Sequence, residues 1–399
     1  MIKTYIYAGI MLMIFFVLCI TRKNLMGKII WLLYTVISVF SVIAMKDGLL
    51  DTNVTIFPYL FLIIIYLIVF FPFLEKSANF TIEKLTSKIN IKYLIFIYIF
   101  IFAGIITIIY YIPLVKQLME SGAWNQNRNN LYSGTFHFSY TWYQYYALQF
   151  VGYTKLLGMI VGFVILRSGE RTILGLAAIT VSCVSSILSA MYQSSRGGIV
   201  NIVLLVFVML LFFYREMSSS KKRLMIICFI VGIIIIIPYV IDVTVSRFSS
   251  DDALDSVISY FGQPPVVFNY GVAPIEKHLF GTYAFGNLFG MEFISPADIG
   301  GSWGSGFYSF VGWMFIDWGY VGTILVSILI AFITRYIIAK KKYDIADIFL
   351  LFFIYYTLLQ GVFVIGRDYC YNILMAIVIY ILVKVCFDKY TFLLGRIKL

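Results

Sequence analysis

The chain has 399 residues, of which 62% are hydrophobic and only 12% charged, and its formal net charge is +11. A soluble domain carries roughly a quarter of its residues charged, so the composition excludes a soluble protein and predicts an all-α, polytopic integral membrane protein. The five cysteines, Cys19, Cys183, Cys228, Cys370 and Cys386, fall in or beside apolar stretches without paired spacing. That speaks against a disulfide framework and against a metal knuckle.

A membrane span needs about 20 apolar residues. About eleven such segments follow one another, at 4–20, 29–45, 54–74, 91–112, 144–166, 172–192, 198–214, 224–244, 306–334, 346–365 and 369–386. The first lacks the small-residue cleavage signature of a signal peptide and reads as a retained span. Basic residues gather after the odd-numbered segments and in the tail, as in Arg22, Lys23, Lys84, Lys88, Arg167, Arg171, Lys221, Lys222, Arg223, Lys340, Lys341, Lys342, Lys389 and Lys398. The opposite side holds Lys3, Lys46, Lys116, Arg128, Arg196, Arg247, Lys277 and Arg367. The positive-inside rule then predicts an extracytoplasmic N-terminus and a cytoplasmic C-terminus. The charge is a topology signal, and no nucleic-acid partner is expected.

The cytoplasmic connections are too short for a nucleotide-binding domain, and neither a GxxxxGK[ST] loop nor a GxGxxG fingerprint opens a helix. Two long outer loops, 113–143 and 245–305, are expected instead, and long loops are usually functional. The expectation is a single transmembrane domain over 1–399 whose two outer loops form a substrate groove. The larger loop carries Asp251, Asp252, Asp255, Glu276, Glu292 and Asp298 against Arg247 and Lys277, and Gly262-Gln263-Pro264-Pro265 breaks it. Residues 254–261 read as a short helix on the membrane surface.

The sharpest motif is Ser194-Ser195-Arg196-Gly197-Gly198, the break between segments six and seven. Two glycines let a backbone turn tightly and approach a ligand. The next helix begins with unpaired N–H groups that favour anions, and Arg196 adds a planar fork suited to phosphate. This reads as a diphosphate site at the membrane edge, set against a plain turn with a snorkelling arginine. In Trp124-Asn125-Gln126-Asn127-Arg128-Asn129-Asn130-Leu131-Tyr132 the amides suit sugar hydroxyls, and Trp124 or Tyr132 offers a stacking face; interfacial anchoring is the plainer reading. Arg367, beside Asp368, is a third outer cation. In Pro274-Ile275-Glu276-Lys277-His278 a carboxylate and an imidazole fall close together, and either Glu276 or His278 could take a proton from a hydroxyl. No HExxH or cysteine cluster points to zinc, and no metal or other cofactor is expected. Lys155 and Asp317 read as the deepest charges, an ion pair that either fixes the bundle or lines a cleft. The aromatic run Tyr140–Tyr146 reads as interfacial anchoring.

With the Ser195-Arg196-Gly197-Gly198 turn, Arg128 before it, and the Gly281–Gly290 region after His278 ahead of the last spans, the chain resembles the Wzy-type oligosaccharide repeat unit polymerases of O-antigen and capsular polysaccharide biosynthesis. The resemblance covers nearly the whole chain in topology and only these short pieces in residues. It implies a multi-pass glycosyltransferase of the bacterial cytoplasmic membrane, of the lipid-linked-donor (GT-C-like) class, working on the outer face without metal or nucleotide. The implied substrates are undecaprenyl-pyrophosphate-linked oligosaccharides as donor and acceptor, and a chain-length regulator and a flippase are implied partners. The essential outer arginines of the family carry over to Arg128 and Arg196. His278 corresponds loosely to the outer-loop histidine of the related O-antigen ligases, in a context that departs from theirs. The alternatives are such a ligase and a lipid-linked oligosaccharide flippase or other transporter.

Overall fold

The computed structural model describes residues 1–21, 24–50, 52–75, 91–132, 140–169, 171–213, 217–245, 253–291, 307–363 and 369–387. Its α-helices, in chain order, are α1 (Ile2–Thr21), α2 (Leu25–Lys46), α3 (Ile56–Leu74), α4 (Ile91–Ser121), α5 (Trp124–Tyr132), α6 (Trp142–Ser168), α7 (Thr172–Tyr192), α8 (Arg196–Phe213), α9 (Ser219–Val245), α10 (Ala253–Val267), α11 (Thr282–Phe285), α12 (Ser309–Ala339), α13 (Ile345–Gln360) and α14 (Tyr369–Leu382). Among the described residues, eight of these are long and apolar enough to cross a membrane: α1 to α4, α6, α7, α9 and α12. The chain is an all-helical, multi-pass membrane protein.

A helix answers each of the eleven expected segments, but three of them are shorter than a full crossing. The 16 residues of α13 rise only about 24 Å at 1.5 Å each, against a hydrocarbon layer of about 30 Å. Helices α8 and α14 are the other short ones. Two expected loops also turn out differently. Helix α4 runs on through Pro113 to Ser121, where the sequence reading places the start of a loop. In a membrane setting a proline costs a helix less, because neighbouring helices and side chains satisfy the freed backbone groups. Residues 133–139 of that expected loop lie outside the described residues, as do 246–252 and 292–305 of the larger one.

The chain divides into two compact units. The first comprises Met1–Phe80, Asp252–Lys341 and Ile354–Leu374. In it α2 holds α1 through Trp31, whose indole nitrogen donates to the Met11 carbonyl at 3.2 Å. The expected surface helix at 254–261 is instead the longer α10, and it packs along α2. A side chain at Gly262 would meet the Phe40 carbonyl oxygen at 2.8 Å, so only glycine permits this approach. Pro264 and Pro265 lie inside α10 and do not end it; a π-helical turn over Phe268–Val272 follows. Within that turn the Asn269 side chain accepts from the Thr55 nitrogen at 2.8 Å and donates to the Thr55 carbonyl at 2.7 Å, clamping it to the start of α3. Glu75 at the end of α3 and Arg335 of α12 form an ion pair at 3.2 Å.

The second unit comprises Thr81–Asp251, Lys342–Phe353 and Met375–Leu399. Here α4, α6 and α7 pack tightly through small residues. Gly162 of α6 and Gly175 of α7 face each other so closely that a Cβ on either would lie within 2.9 Å of the other's carbonyl oxygen. Small residues at crossings let membrane helices gain dispersion contact where no hydrophobic force drives them together. Lys384 is buried and ion-paired with Asp344 and with Asp347, the latter at 3.1 Å.

Candidate functional site

The turn between α7 and α8 is built by local hydrogen bonds. Ser194 takes the left-handed conformation, with φ of 51°; its nitrogen donates to the Met191 carbonyl at 2.8 Å, and the Ser195 nitrogen donates to the Ala190 carbonyl at 2.8 Å. This pair of bonds closes a helix C-terminus as a Schellman motif does, with serine where glycine is usual. Ser195 then caps the next helix: its hydroxyl accepts from the Gly198 nitrogen at 3.2 Å, satisfying one of the orphan donors of a helix start. Arg196 is therefore the first residue of α8.

The two glycines do not make the turn, contrary to the sequence reading. Both lie in the first turn of α8. Gly198 is required for packing, since a Cβ there would sit 2.9 Å from the Ala190 Cβ, whereas a Cβ at Gly197 would meet open space. Gly197 is thus the position at which a ligand can come close to the backbone.

The Asn-rich segment is α5, and one of its amides reaches the turn. Asn127, 5% exposed, donates through Nδ2 to the Tyr192 carbonyl at 2.6 Å and to the Ser194 hydroxyl at 3.5 Å. The helix that carries Arg128 is thereby fastened to the turn that precedes Arg196. The side chains of Arg128, Tyr132 and Arg196 are outside what the structure describes, and so is all of Arg367. Beneath this junction Val115, Leu118, Trp124, Ala190, Tyr192, Ile199 and Tyr239 form a small apolar core. Trp124 is 2% exposed and meets Tyr239 edge to face, with centroids 5.1 Å apart. Its indole holds α5 in place and is not a face on which a sugar can stack, which corrects the reading of Trp124 as a substrate contact.

Glu276 and His278 lie in the other unit. Glu276 is exposed and His278 half-buried, and among the described residues neither is hydrogen-bonded to the other. The His278 ring lies edge-on to Phe315, with centroids 5.3 Å apart, and its Nδ1 is buried without a hydrogen-bond partner among the described residues. What seats this segment is a break in α12 at Gly319, with φ of 60° and ψ of −163°. A Cβ there would also lie 2.5 Å from His278 Nε2, so the position admits glycine on both counts. The Leu279 and Phe280 nitrogens donate to the Ile316 and Asp317 carbonyls at 3.1 and 2.9 Å.

Asp317 is 1% exposed, and its two carboxylate oxygens accept from the Tyr283 and Ala284 nitrogens, each at 2.9 Å. Those amides begin α11, and a carboxylate at a helix start is stabilised by charge-assisted hydrogen bonds. The sequence reading paired Asp317 with Lys155; its carboxylate is instead spent on backbone amides. Lys155 belongs to the other unit and forms no ion pair among the described residues.

Asn127, Ser194 and Asp317 are the structurally decisive polar residues, and sequence reasoning assigned none of them this part. The signal for Asn127 was present in its amide-rich segment. That for Asp317 was its depth, which marked the residue without naming its partner. Among the described residues no group of three His, Cys, Asp or Glu is placed to hold a metal ion. No protein-family model, curated protein or solved structure matches the chain.

Proposed function

We propose that the chain is a membrane glycosyltransferase that polymerises polyprenyl-diphosphate-linked oligosaccharide repeat units, with its chemistry on the outer face of the membrane. The observation that carries the reading is the Asn127 clamp. It fastens the segment that carries Arg128 to the end of α7 and to the turn that leads into Arg196. Open helix-start amides with a nearby arginine stabilise negative charge as it develops on a leaving diphosphate, and such preorganised donors are a large source of rate enhancement. In this reading Arg196 and the N-terminus of α8 hold the donor diphosphate, with Gly197 allowing close approach, and Arg128 holds either diphosphate. Tyr132 offers a sugar face. A carboxylate or imidazole takes the proton from the acceptor hydroxyl, and replacing Glu276 and His278 in turn by glutamine tests each as that base, the loss of turnover marking it.

The orientation follows the distribution of lysine and arginine, which places the α7–α8 turn outside and the tail inside. Lipid-linked glycan profiles from cells with and without the chain test the reading. The expected result is a ladder of multiples of one repeat unit that disappears when the chain is removed. A single transferred glycan with no ladder would make the chain a ligase.

One observation favours a second reading. A transmembrane helix broken part-way along, as α12 is at Gly319, a third of the way from its start, is a device of secondary transporters. Translocation of lipid-linked glycan without change in its length would favour that reading.

A further inference from the structure

Beside the α7–α8 turn, in the same unit, lies a cavity of about 220 Å³ lined by Tyr111, Tyr140, Tyr145, Tyr192, Gln149 and Gln193 together with Leu148. The sequence reading takes the Tyr140–Tyr146 run as membrane anchors. Trp142 and Tyr146 fit that, at 77% and 64% exposed. Tyr140 does not: its ring packs on Tyr110 at 5.3 Å and lies 6.1 Å from Tyr145, while Tyr111 and Tyr192 face each other at 5.6 Å. Burial, and then the neighbouring Tyr110 and Tyr111 hydroxyls, push the Tyr140 phenol well above its ordinary range, so it stays neutral and able to donate a hydrogen bond.

Two glutamines supply the complementary groups. The Gln193 amide nitrogen donates to Ser189 at 3.3 Å, which leaves its carbonyl oxygen as an acceptor. The Gln149 amide is exposed and makes no hydrogen bond among the described residues. Aromatic faces with polar tips and amides that both donate and accept are what a ring bearing many hydroxyls needs. The volume lies below the roughly 300 Å³ at which pockets for drug-sized ligands begin, which limits the occupant to one ring. The cavity also touches the candidate diphosphate site, because the Tyr192 carbonyl that receives Asn127 belongs to one of its lining residues.

We propose that this tyrosine–glutamine cavity binds a single pyranose ring of the lipid-linked glycan, next to the diphosphate held at the start of α8. The inference rests on the reading of the chain as a glycan polymerase and names where that substrate's sugar is recognised.

The experiment uses the full chain in lipid nanodiscs and the methyl glycosides of glucose, galactose, mannose and N-acetylglucosamine as probes, read by saturation-transfer NMR. At least one probe is expected to bind. The double variant Tyr145→Ala, Gln149→Leu is expected to weaken binding about tenfold, the loss of one stacking face and one hydrogen-bonding amide. Trp142→Ala, which removes an outward anchor only, is expected to leave binding unchanged. No signal from any of the four, or a signal that the double variant leaves intact, would overturn the proposal, as would equal loss in Trp142→Ala. Tyr145 and Gln149 are both exposed, so the double variant is expected to melt with the parent. Glycan lengthening is assayed separately. Glycoside binding that needs Gln149, with no lengthening by the parent chain, keeps the cavity and removes the polymerase. Lengthening without glycoside binding does the reverse.

Discussion

The α5/α7–α8 junction and the α12 break show two ways of arranging polar groups in an apolar protein. At the junction the chain-end groups of α7 are satisfied by nearby backbone bonds and by one amide from α5, Ser195 caps one start group of α8, and the first turn of α8 is left facing outward at Gly197. At the break a carboxylate is sunk almost completely and used to start a four-residue helix. The first arrangement leaves donors for a ligand, whereas the second consumes its charge internally. That difference separates a candidate site from a structural fastening, even though both contain the charges that stand out in so apolar a sequence.

The largest effect is expected at the fastening. Asp317→Leu leaves two buried amides without an acceptor and is expected to cost about 3 kcal/mol, read as a large fall in melting temperature of the purified protein. Lys155→Asp is not expected to rescue an Asp317→Lys change; rescue would restore the ion pair and undo the distinction. At the junction Asn127→Leu removes the clamp but leaves the apolar core below it. It is expected to cost about 1 kcal/mol in stability while reducing glycan lengthening far more. Equal, small losses in both would make the clamp merely structural. The smallest effects separate the two glycines. Gly198→Ala crowds Ala190, a cost of about 1–2 kcal/mol partly offset by the helix preference of alanine of about 0.5–1 kcal/mol, for a net loss of about 0.5–1 kcal/mol, while Gly197→Ala meets open space and keeps that preference as a gain, so a melting curve shifts down for one and not for the other. Gly197→Ala should still impair turnover if a ligand approaches the backbone there.

Much of the helical framework was legible from composition alone, because runs of about 20 apolar residues have few alternatives in a membrane. All eleven expected segments are met by helices. The loops were read less well for a physical reason: Pro113, Pro264 and Pro265 look like breakers in a soluble context, yet α4 and α10 continue through them. In the candidate site, the sequence marked the α5 segment and the α7–α8 turn separately. It could not show that Asn127 joins them, since that bond spans 65 positions, nor that Trp124 is consumed as core. The surroundings of His278 were not legible either, because the α12 break that brings it against Gly319 and Phe315 lies about 40 positions along the chain.

The most direct test of the account is polymerisation in vitro, with the purified chain in vesicles and purified lipid-linked repeat units, comparing the parent with Arg196→Lys. The account predicts a ladder from the parent. It predicts little beyond the starting unit from the variant at unchanged melting temperature, because lysine lacks the planar fork that grips a diphosphate with two parallel hydrogen bonds. A full ladder from Arg196→Lys would contradict it.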